Sequence, residues 1–372
     1  MNDLRADSRL VMTLDAGGTN FRFSAMCGGK PATETLVLPA QGADLDRCLA
    51  CVIEGFRKVR SLCPAEPVAL SFAFPGPADY PNGIIGDLPN LPGFRGGVAL
   101  GPMLAEAFEV PVFINNDGDL FTYGEAIAGL LPWVNARLAE SGSPKRFRNL
   151  FGVTLGTGFG GGLVQDGRLY CGDNSGAGEV WLLRNKLEPD MNAEEGASIR
   201  GVVRAYTDRA GVPMDGAPDP EEIYRIATGA ATGHKAAARE AFRQLGEVVG
   251  DALGNVLSVV DALAVVGGGL SGAAALFMPA LVQELNSSFT GPNGETLRRL
   301  SPQVFNLDEP RELRRFLRGE PRELTVPGSA RKVQYDALPR LGVGLSRLGT
   351  SEAIALGAYA FALQALDAAA GK

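Results

Sequence analysis

Two carboxylates and two glycine-rich turns are the parts of this 372-residue chain best suited to chemistry. Asp15 closes the apolar run Val11 to Leu14, and Gly17, Gly18 and Thr19 follow it. From there to Met26 apolar and small polar residues alternate, which predicts a strand, a tight turn and a second strand, since glycine accepts backbone angles that other residues resist. Amides of Gly17, Gly18 and Thr19 turned into one concavity would cradle phosphate oxygens. Asp15 then stands where it can hold a metal-bound water beside that phosphate. The run Thr154 to Gly162, T-L-G-T-G-F-G-G-G, repeats the pattern roughly 140 residues later, about one domain length. Neither turn has the G-x-G-x-x-G of a dinucleotide site or the Gly-Lys-Ser/Thr ending of a P-loop. The second carboxylate, Asp117, ends the triplet Asn115-Asn116-Asp117 after the apolar run Val110 to Ile114. Open α/β sheets bind ligands outside the carboxyl ends of their strands. Aspartate is also a preferred helix N-cap, so the motif alone leaves both readings open.

The elements that must position these groups are legible in outline. Ala43 to Leu62 has apolar residues at helical spacing (Leu45, Leu49, Val52, Ile53, Phe56), which predicts a helix. Val68 to Phe74 reads as a strand ending in a Pro75 to Asp79 loop, and Asn90 to Phe94 as a second loop. Loops on rigid strands are where ligand contacts concentrate. Gly118 to Leu131 reads as a helix containing Glu125, and Pro132 to Asn149 as a polar stretch. Asp166-Gly167 is a turn and Asp215 to Pro220 a loop. Pro220 to Ile226 and Ala236 to Val260 read as helices, and Ala262 to Val266 as a buried strand running into Gly267-Gly268-Gly269. Phe289 to Arg347 is rich in Arg and Pro, with Val333 to Tyr335 and Leu341 to Leu345 as candidate strands. A helix over Glu352 to Ala369 closes the chain.

The length suits two cores. Apolar residues at 45% and charged residues at 21% are ordinary for a globular protein. A formal charge of −7 argues against non-specific nucleic-acid binding, which leans on a basic surface. Asp3, Arg5 and Asp7 at the start do not form a signal peptide, and no stretch reaches membrane-spanning length without charges or breakers. Five cysteines, with Cys48 and Cys51 on a helix and Cys63 beyond it, read as free thiols rather than a metal site, because no second pair or nearby histidine completes one. These features point to the cytoplasm. The single histidine, His234, receives no catalytic role.

With both turns in place, L-D-A-G-G-T-N-F-R closely resembles the phosphate motif of hexokinases and glucokinases. The later motifs resemble the ROK family (repressors, open reading frames and sugar kinases). The resemblance implies an α/β fold of two actin-like (ribonuclease H-like) domains with a cleft between them. The first is expected to comprise residues 1–117 plus 352–372 and the second residues 118–351. It assigns ATP phosphates to Asp15, Gly17, Gly18, Thr19, Asn20 and Arg22 and to Gly156, Thr157 and Gly158. Gly267, Gly268 and Gly269 match the family's adenosine motif, and Mg2+ is expected near Asp15 through water. The Asn-Asp pair makes Asp117 the catalytic base and Asn116 a sugar ligand, and an N-L-P-G-aromatic segment adds Asn90. The family's A-G-E-x-G-H segment appears as A-G-E-V-W-L, which keeps Glu179 but puts Leu182 where a histidine belongs. The Cys-rich zinc run is absent. The later sugar-binding glutamate maps onto Glu194, or onto Glu195 by a one-residue slip. No zinc site is therefore expected, and the stretches 132–149 and 289–347 exceed what the family usually carries.

The expected activity is phosphorylation of the 6-hydroxyl of a hexose such as glucose. Another hexose, an N-acetylhexosamine or a non-catalytic sugar sensor are the alternatives. The expected partners are sugar and ATP, with neither nucleic acid nor membrane, and a homodimer is left open. A ROK repressor would carry a winged-helix segment before the first hairpin, and about ten residues are too few for one. An actin-class ATPase would lack the Asn90 and Glu179 features.

Overall fold

The computed structural model describes residues 4–16, 20–87 and 92–371. It divides into two compact units. The first is Met1–Ala128 with Gly167–Gly178 and Leu348–Lys372, and the second is Gly129–Asp166 with Glu179–Arg347.

In the first unit, β1 (Val11–Ala16) and β2 (Asn20–Cys27) form the expected antiparallel hairpin, with Asp15 opposite Arg22. Residues 11–14 are all buried, as befits a central strand covered on both faces. Short β3 (Lys30–Pro31) and β4 (Leu36–Pro39) pair with the outer side of β2. Helix α1 (Leu45–Leu62) starts at Asp44, whose carboxylate accepts from the Arg47 amide at 3.1 Å. Its buried stripe Cys48, Val52, Phe56 and Val59 follows i+4 and i+3 steps, the helical period expected from the sequence, though it shares only Val52 and Phe56 with the residues named there. Phe56 anchors that core, with its ring centroid 5.2 Å from Phe23, 5.7 Å from Phe72 and 5.9 Å from Phe108. β5 (Ala69–Ala73) and β8 (Val112–Asn115) extend the sheet in parallel, giving the order β3-β2-β1-β5-β8. The ribbon β6 (Ala78–Asp79) with β7 (Ile84–Ile85) and the helix α2 (Leu100–Phe108) lie between them in sequence.

Helix α3 (Asp117–Ile127) follows β8 directly, and α10 (Thr350–Ala369) returns from the far end of the chain to pack on it and on β1 and β5. The sequence reading gave α3 to the second domain. It belongs to the first unit because α3 and α10 meet at a spacing only glycine permits. A methyl group at Gly357 would strike the Leu120 carbonyl, and one at Gly124 would strike the Ala353 carbonyl. The buried Glu125 carboxylate accepts from the Leu348 amide at 3.0 Å, just before α10. The segment Gly167–Gly178, with β11 (Arg168–Tyr170), also joins this unit rather than the second.

The helix expected over Gly118 to Leu131 is instead two. It breaks at Ala128 and Gly129, and α4 (Leu130–Glu140) begins the second unit. Half of the supposed polar stretch after Pro132 is therefore helical, with Leu130, Leu131, Val134 and Leu138 buried. Pro132 falls in the first turn, where a missing amide hydrogen does no harm. The unit's sheet runs β10 (Phe159–Gln165), β9 (Leu150–Leu155), β12 (Leu263–Gly267), β18 (Arg340–Leu345), β15 (Gln303–Asn306). Only the β9–β10 pair in that order is antiparallel, so the unit repeats the hairpin-plus-parallel plan of the first. Helices α5 (Ile199–Ala210), α6 (Pro220–Thr228), α7 (Lys235–Val260) and α8 (Ala274–Leu285) bury its main core. The Arg- and Pro-rich stretch resolves into the ribbons β13 (Ser288–Thr290) with β14 (Thr296–Arg298) and β16 (Pro321–Thr325) with β17 (Lys332–Asp336), plus helix α9 (Pro310–Arg318). Among the described residues no helix is long and apolar enough to cross a membrane.

Gly357→Ala should lower stability by about 1 to 3 kcal/mol, the range for overpacking a close contact. Thermal unfolding of the purified variant measures it, and a melting temperature equal to the parent's would show that α3 and α10 can separate freely.

Candidate active site

The first unit gathers its polar groups at the carboxyl ends of β1 and β8. Asp15 pairs in register with Ala73 of β5, and Ala73 with Asn115 of β8, so Asp15 and Asn115 lie two strands apart, about 10 Å. Asp15, Asn20 and Arg22 are all exposed at this end of the hairpin. Gly17, Gly18, Thr19 and Asn90, also expected here, lie outside the described residues. Asn115 is buried, and its side-chain amide nitrogen has no hydrogen-bond partner among the described residues.

Asn116 is the N-cap of α3: its Oδ1 accepts from the Gly118 amide at 2.8 Å. The cap therefore falls on Asn116, and Asp117 is the first helical residue, although its Oδ1 accepts from the same amide at 2.9 Å. Asp117 is open to solvent but recessed among protein atoms. Desolvation pushes its carboxyl above the ordinary value of 3.8. The amides of Gly118 and Asp117 pull the other way, and the negative charge of Asp15 adds to the rise. A carboxylate raised in this way, at a strand end, is equipped to accept a proton.

The second unit builds its counterpart from β9, β10 and β12. The turn Gly156 to Gly158 joins the first two strands as expected, with Thr157 exposed at its tip. The Gly156 amide donates to the Gly158 carbonyl at 3.0 Å, and the Ile199 amide at the start of α5 donates to the Gly156 carbonyl at 2.8 Å. β12 pairs with β9 so that Gly267 lies beside Thr154, which brings the two glycine motifs together. Gly268 (φ 89°) packs so closely on the Leu155 backbone that any side chain would collide with it. Gly156 and Gly269 instead border open space, since a methyl group on either would meet no atom of the described residues within 4 Å. Such a surface of bare backbone suits the approach of a nucleotide.

The two expected sugar carboxylates differ. Glu179 is exposed and accepts from the indole nitrogen of Trp181, while Leu182, at the family's histidine position, is 59% exposed. Glu194 is half-buried and engaged on both sides: Oε2 accepts from the Phe159 amide at 2.9 Å, and Oε1 meets Arg200 Nη2 at 2.5 Å. Glu195, the one-residue alternative, faces Arg200 (2.7 Å) and Arg204 (3.3 Å), and Arg200 holds its carboxyl below the usual range. The loop from Asn185 to Glu188, just before the stretch where no zinc run was found in the sequence, is tied by charge pairs and hydrogen bonds. Lys186 bridges Glu284 (2.6 Å) and Glu247 (3.1 Å), Arg204 reaches Glu188 (2.7 Å), and the buried Asn185 Oδ1 accepts from the Leu187 and Glu188 amides. Among the described residues no group of three His, Cys, Asp or Glu side chains is placed to hold a metal ion. The five cysteines are free thiols, and burial pushes Cys48 up to about 11. Arg200 and Asn115 were not singled out from sequence. Arg200 sits in the first turn of α5, a helix the sequence reading passed over.

Two sheets of like order, each with a strand–turn–strand hairpin at its ligand end, define the two-domain actin-like ATPase fold. The chain belongs to the ROK family, whose family model matches residues 11–306. It is 53% identical to the glucokinase of Parabacteroides distasonis, covering 98% of this chain and 99% of that one with a TM-score of 0.89. A ROK family glucokinase from Streptomyces griseus, solved in complex with glucose and AMPPNP, shares the fold at 18% identity and a TM-score of 0.60, over 94% of this chain and 98% of its own. The N-acetyl-D-glucosamine kinase of Photobacterium profundum is 28% identical over 50% of this chain and 56% of its own length. The chain thus spans little more than half the length of the first curated relatives it matches.

Asn116→Ala should cost about 1 kcal/mol through the lost cap, whereas Asn116→Asp, which retains an acceptor, should stay within a few tenths of the parent. Paired chemical-denaturation curves check this. Equal midpoints for Ala and Asp would mean that the cap does not support α3.

Proposed function

We propose that the protein is an ATP-dependent sugar kinase that transfers the γ-phosphoryl group to the 6-hydroxyl of a hexose, with glucose as the first candidate. The observation that carries the reading is the placement of Asp117, fixed by the first turn of α3 at the end of β8 beside the cap residue Asn116; desolvation, which raises its carboxyl above the ordinary value, supports it. Its 53% identity to a glucokinase over nearly the whole chain supports the choice of sugar. The likeness to N-acetyl-D-glucosamine kinase keeps an N-acetylhexosamine as the alternative.

In this reading Asp117 accepts the hydroxyl proton as the new phosphate ester bond forms. The oxygen of Asn116 is used in the cap, and its amide nitrogen is assigned to orienting the sugar. Asn90, Glu179 and Glu194 are assigned the remaining hydroxyls. For Glu179 that requires sharing with, or release from, Trp181. Thr157 and the backbone of Gly156 and Gly158 receive phosphate, together with Gly17, Gly18, Thr19, Asn20 and Arg22, and Gly267 to Gly269 lie against the adenosine. Asp15 fits Mg2+, which binds through one or two carboxylates, waters and substrate phosphates. When bound, the ion neutralises charge on the transferring group. No zinc is assigned, and the protein is assigned to the cytoplasm.

Asp117→Asn keeps shape and hydrogen bonding but removes the base, so kcat should fall by roughly 10² to 10⁴. Sugar should still bind the variant in calorimetry. Near-parent turnover would show that Asp117 serves α3 alone. Because its folded pKa is raised, the acid limb of kcat/KM in the parent should fall above the ordinary carboxylate value of 3.8 and be absent from the variant's residual rate. A panel of hexoses and N-acetylhexosamines assayed with ATP should give the highest kcat/KM for glucose. Preference for an N-acetylated sugar would move the substrate assignment, and no turnover with any sugar would overturn it.

A further inference from the structure

Arg200 is the residue through which the sugar-side carboxylate of the second unit reaches the phosphate-side turn. Its Nη2 meets Glu194 Oε1 at 2.5 Å and Glu195 Oε1 at 2.7 Å, its Nε donates to the same Glu195 oxygen at 3.0 Å, and its Nη1 donates to the Thr157 carbonyl at 3.3 Å. The other oxygen of Glu194 accepts from the Phe159 amide. These bonds close a ring. One carboxylate grips the exit of the Gly156 to Phe159 turn directly and its tip through the guanidinium. Gly158 is part of the device, since a side chain there would lie 2.7 Å from Glu194 Oε2 and displace it. Glu195 steadies the far side of Arg200 and is itself held by Arg204, which Glu188 anchors at 2.7 Å. With the Thr157 carbonyl occupied by Arg200, the Thr157 and Gly158 amides remain without hydrogen-bond partners among the described residues.

We propose that Arg200 is a positioning residue that couples sugar binding at Glu194 to the phosphate-binding geometry of the Gly156–Phe159 turn. The inference rests on the sugar-kinase reading and names a regulatory link within it. A carboxylate offers about four lone-pair sites, and Glu194 uses two, so a sugar hydroxyl can add without displacing Arg200. Once pinned by sugar, Glu194 holds Phe159 and, through Arg200, Thr157, so the turn is ordered before nucleotide arrives. A ligand that meets an already ordered site binds more tightly, and linkage makes the effect reciprocal. Arginine is specific to the task because its planar fork reaches three acceptors at fixed angles, which lysine cannot do.

The test is calorimetry of an ATP analogue with a non-transferable γ-phosphate, with and without saturating glucose, on the parent, Arg200→Met and Arg200→Lys. In the parent, glucose should tighten the nucleotide by about fivefold or more, and the analogue should tighten glucose by the same factor. In Arg200→Met the factor should fall to near one while each ligand still binds alone, and Arg200→Lys should lie between. If Arg200→Met does not fold, as thermal melting will show, the lysine variant decides alone. No coupling in the parent, or a full factor in whichever folded variant is measured, overturns the proposal. Failure of the functional reading looks different: no sugar in the panel binds or accepts phosphate, whatever stands at residue 200.

Discussion

The first unit depends on the contact between α3 and α10. Two helices cannot approach until backbone meets backbone unless both lack a side chain at the crossing, and Gly124 and Gly357 supply that lack. The contact then fixes much else. It sets the tilt of α3, and with it the position of Asp117 at the helix start. It also carries a buried polar side chain, Glu125, whose oxygen takes the Leu348 amide at the entry to α10. A buried carboxylate is tolerated only when hydrogen-bonded, so the chain reversal into α10 and the interior of α3 stabilise each other.

In the second unit glycine has a different use. Gly268 allows β12 to lie against Leu155, and Gly158 makes room for a carboxylate, while Gly156 and Gly269 border open space. The sheet plan is the same in both units, yet the groups at its ligand end differ in kind. The first unit presents acids and amides, among them Asp15, Asn116 and Asp117. The second presents backbone, framed by ion pairs among Glu194, Glu195, Arg200 and Arg204. Lys186 and Arg204 also hold the loop around Asn185 to Glu188, through Glu284 and Glu188.

What could be read from sequence was what short-range rules control. The hairpins were legible because Gly and Thr interrupt apolar alternation at 17–19 and 156–158, and α1 because Leu45 to Phe56 keep a helical period. The misreadings share a cause, the use of local punctuation to infer long-range packing. Pro132 read as the end of a helix, yet it lies in the first turn of the next one. In α9 the arginines hid the buried Phe316, whose ring stacks on Phe147 at 5.6 Å and lies under Arg340. Among the candidate site residues, the place of Asp117 at the end of β8 was visible because a strand delivers it. The grip of Arg200 on Thr157 joins residues 43 apart and exists only once α5 meets the hairpin. Nor did the motif around Glu179 disclose its bond to Trp181, which depends on the turn that brings the indole back to the carboxylate.

The route of the chain has a consequence for synthesis. A ribosome makes β1, β2, β5, β8 and α3 early, but the helix that covers β1 and closes on α3 only after every residue of the second unit. Domains commonly fold as they emerge, amino end first. Here that order is inverted: the second unit can finish while the first waits with Val11, Ala69 and Leu120 uncovered. A nascent chain halted before Thr350 would display that apolar face, which makes the unfinished first unit the natural target for chaperones.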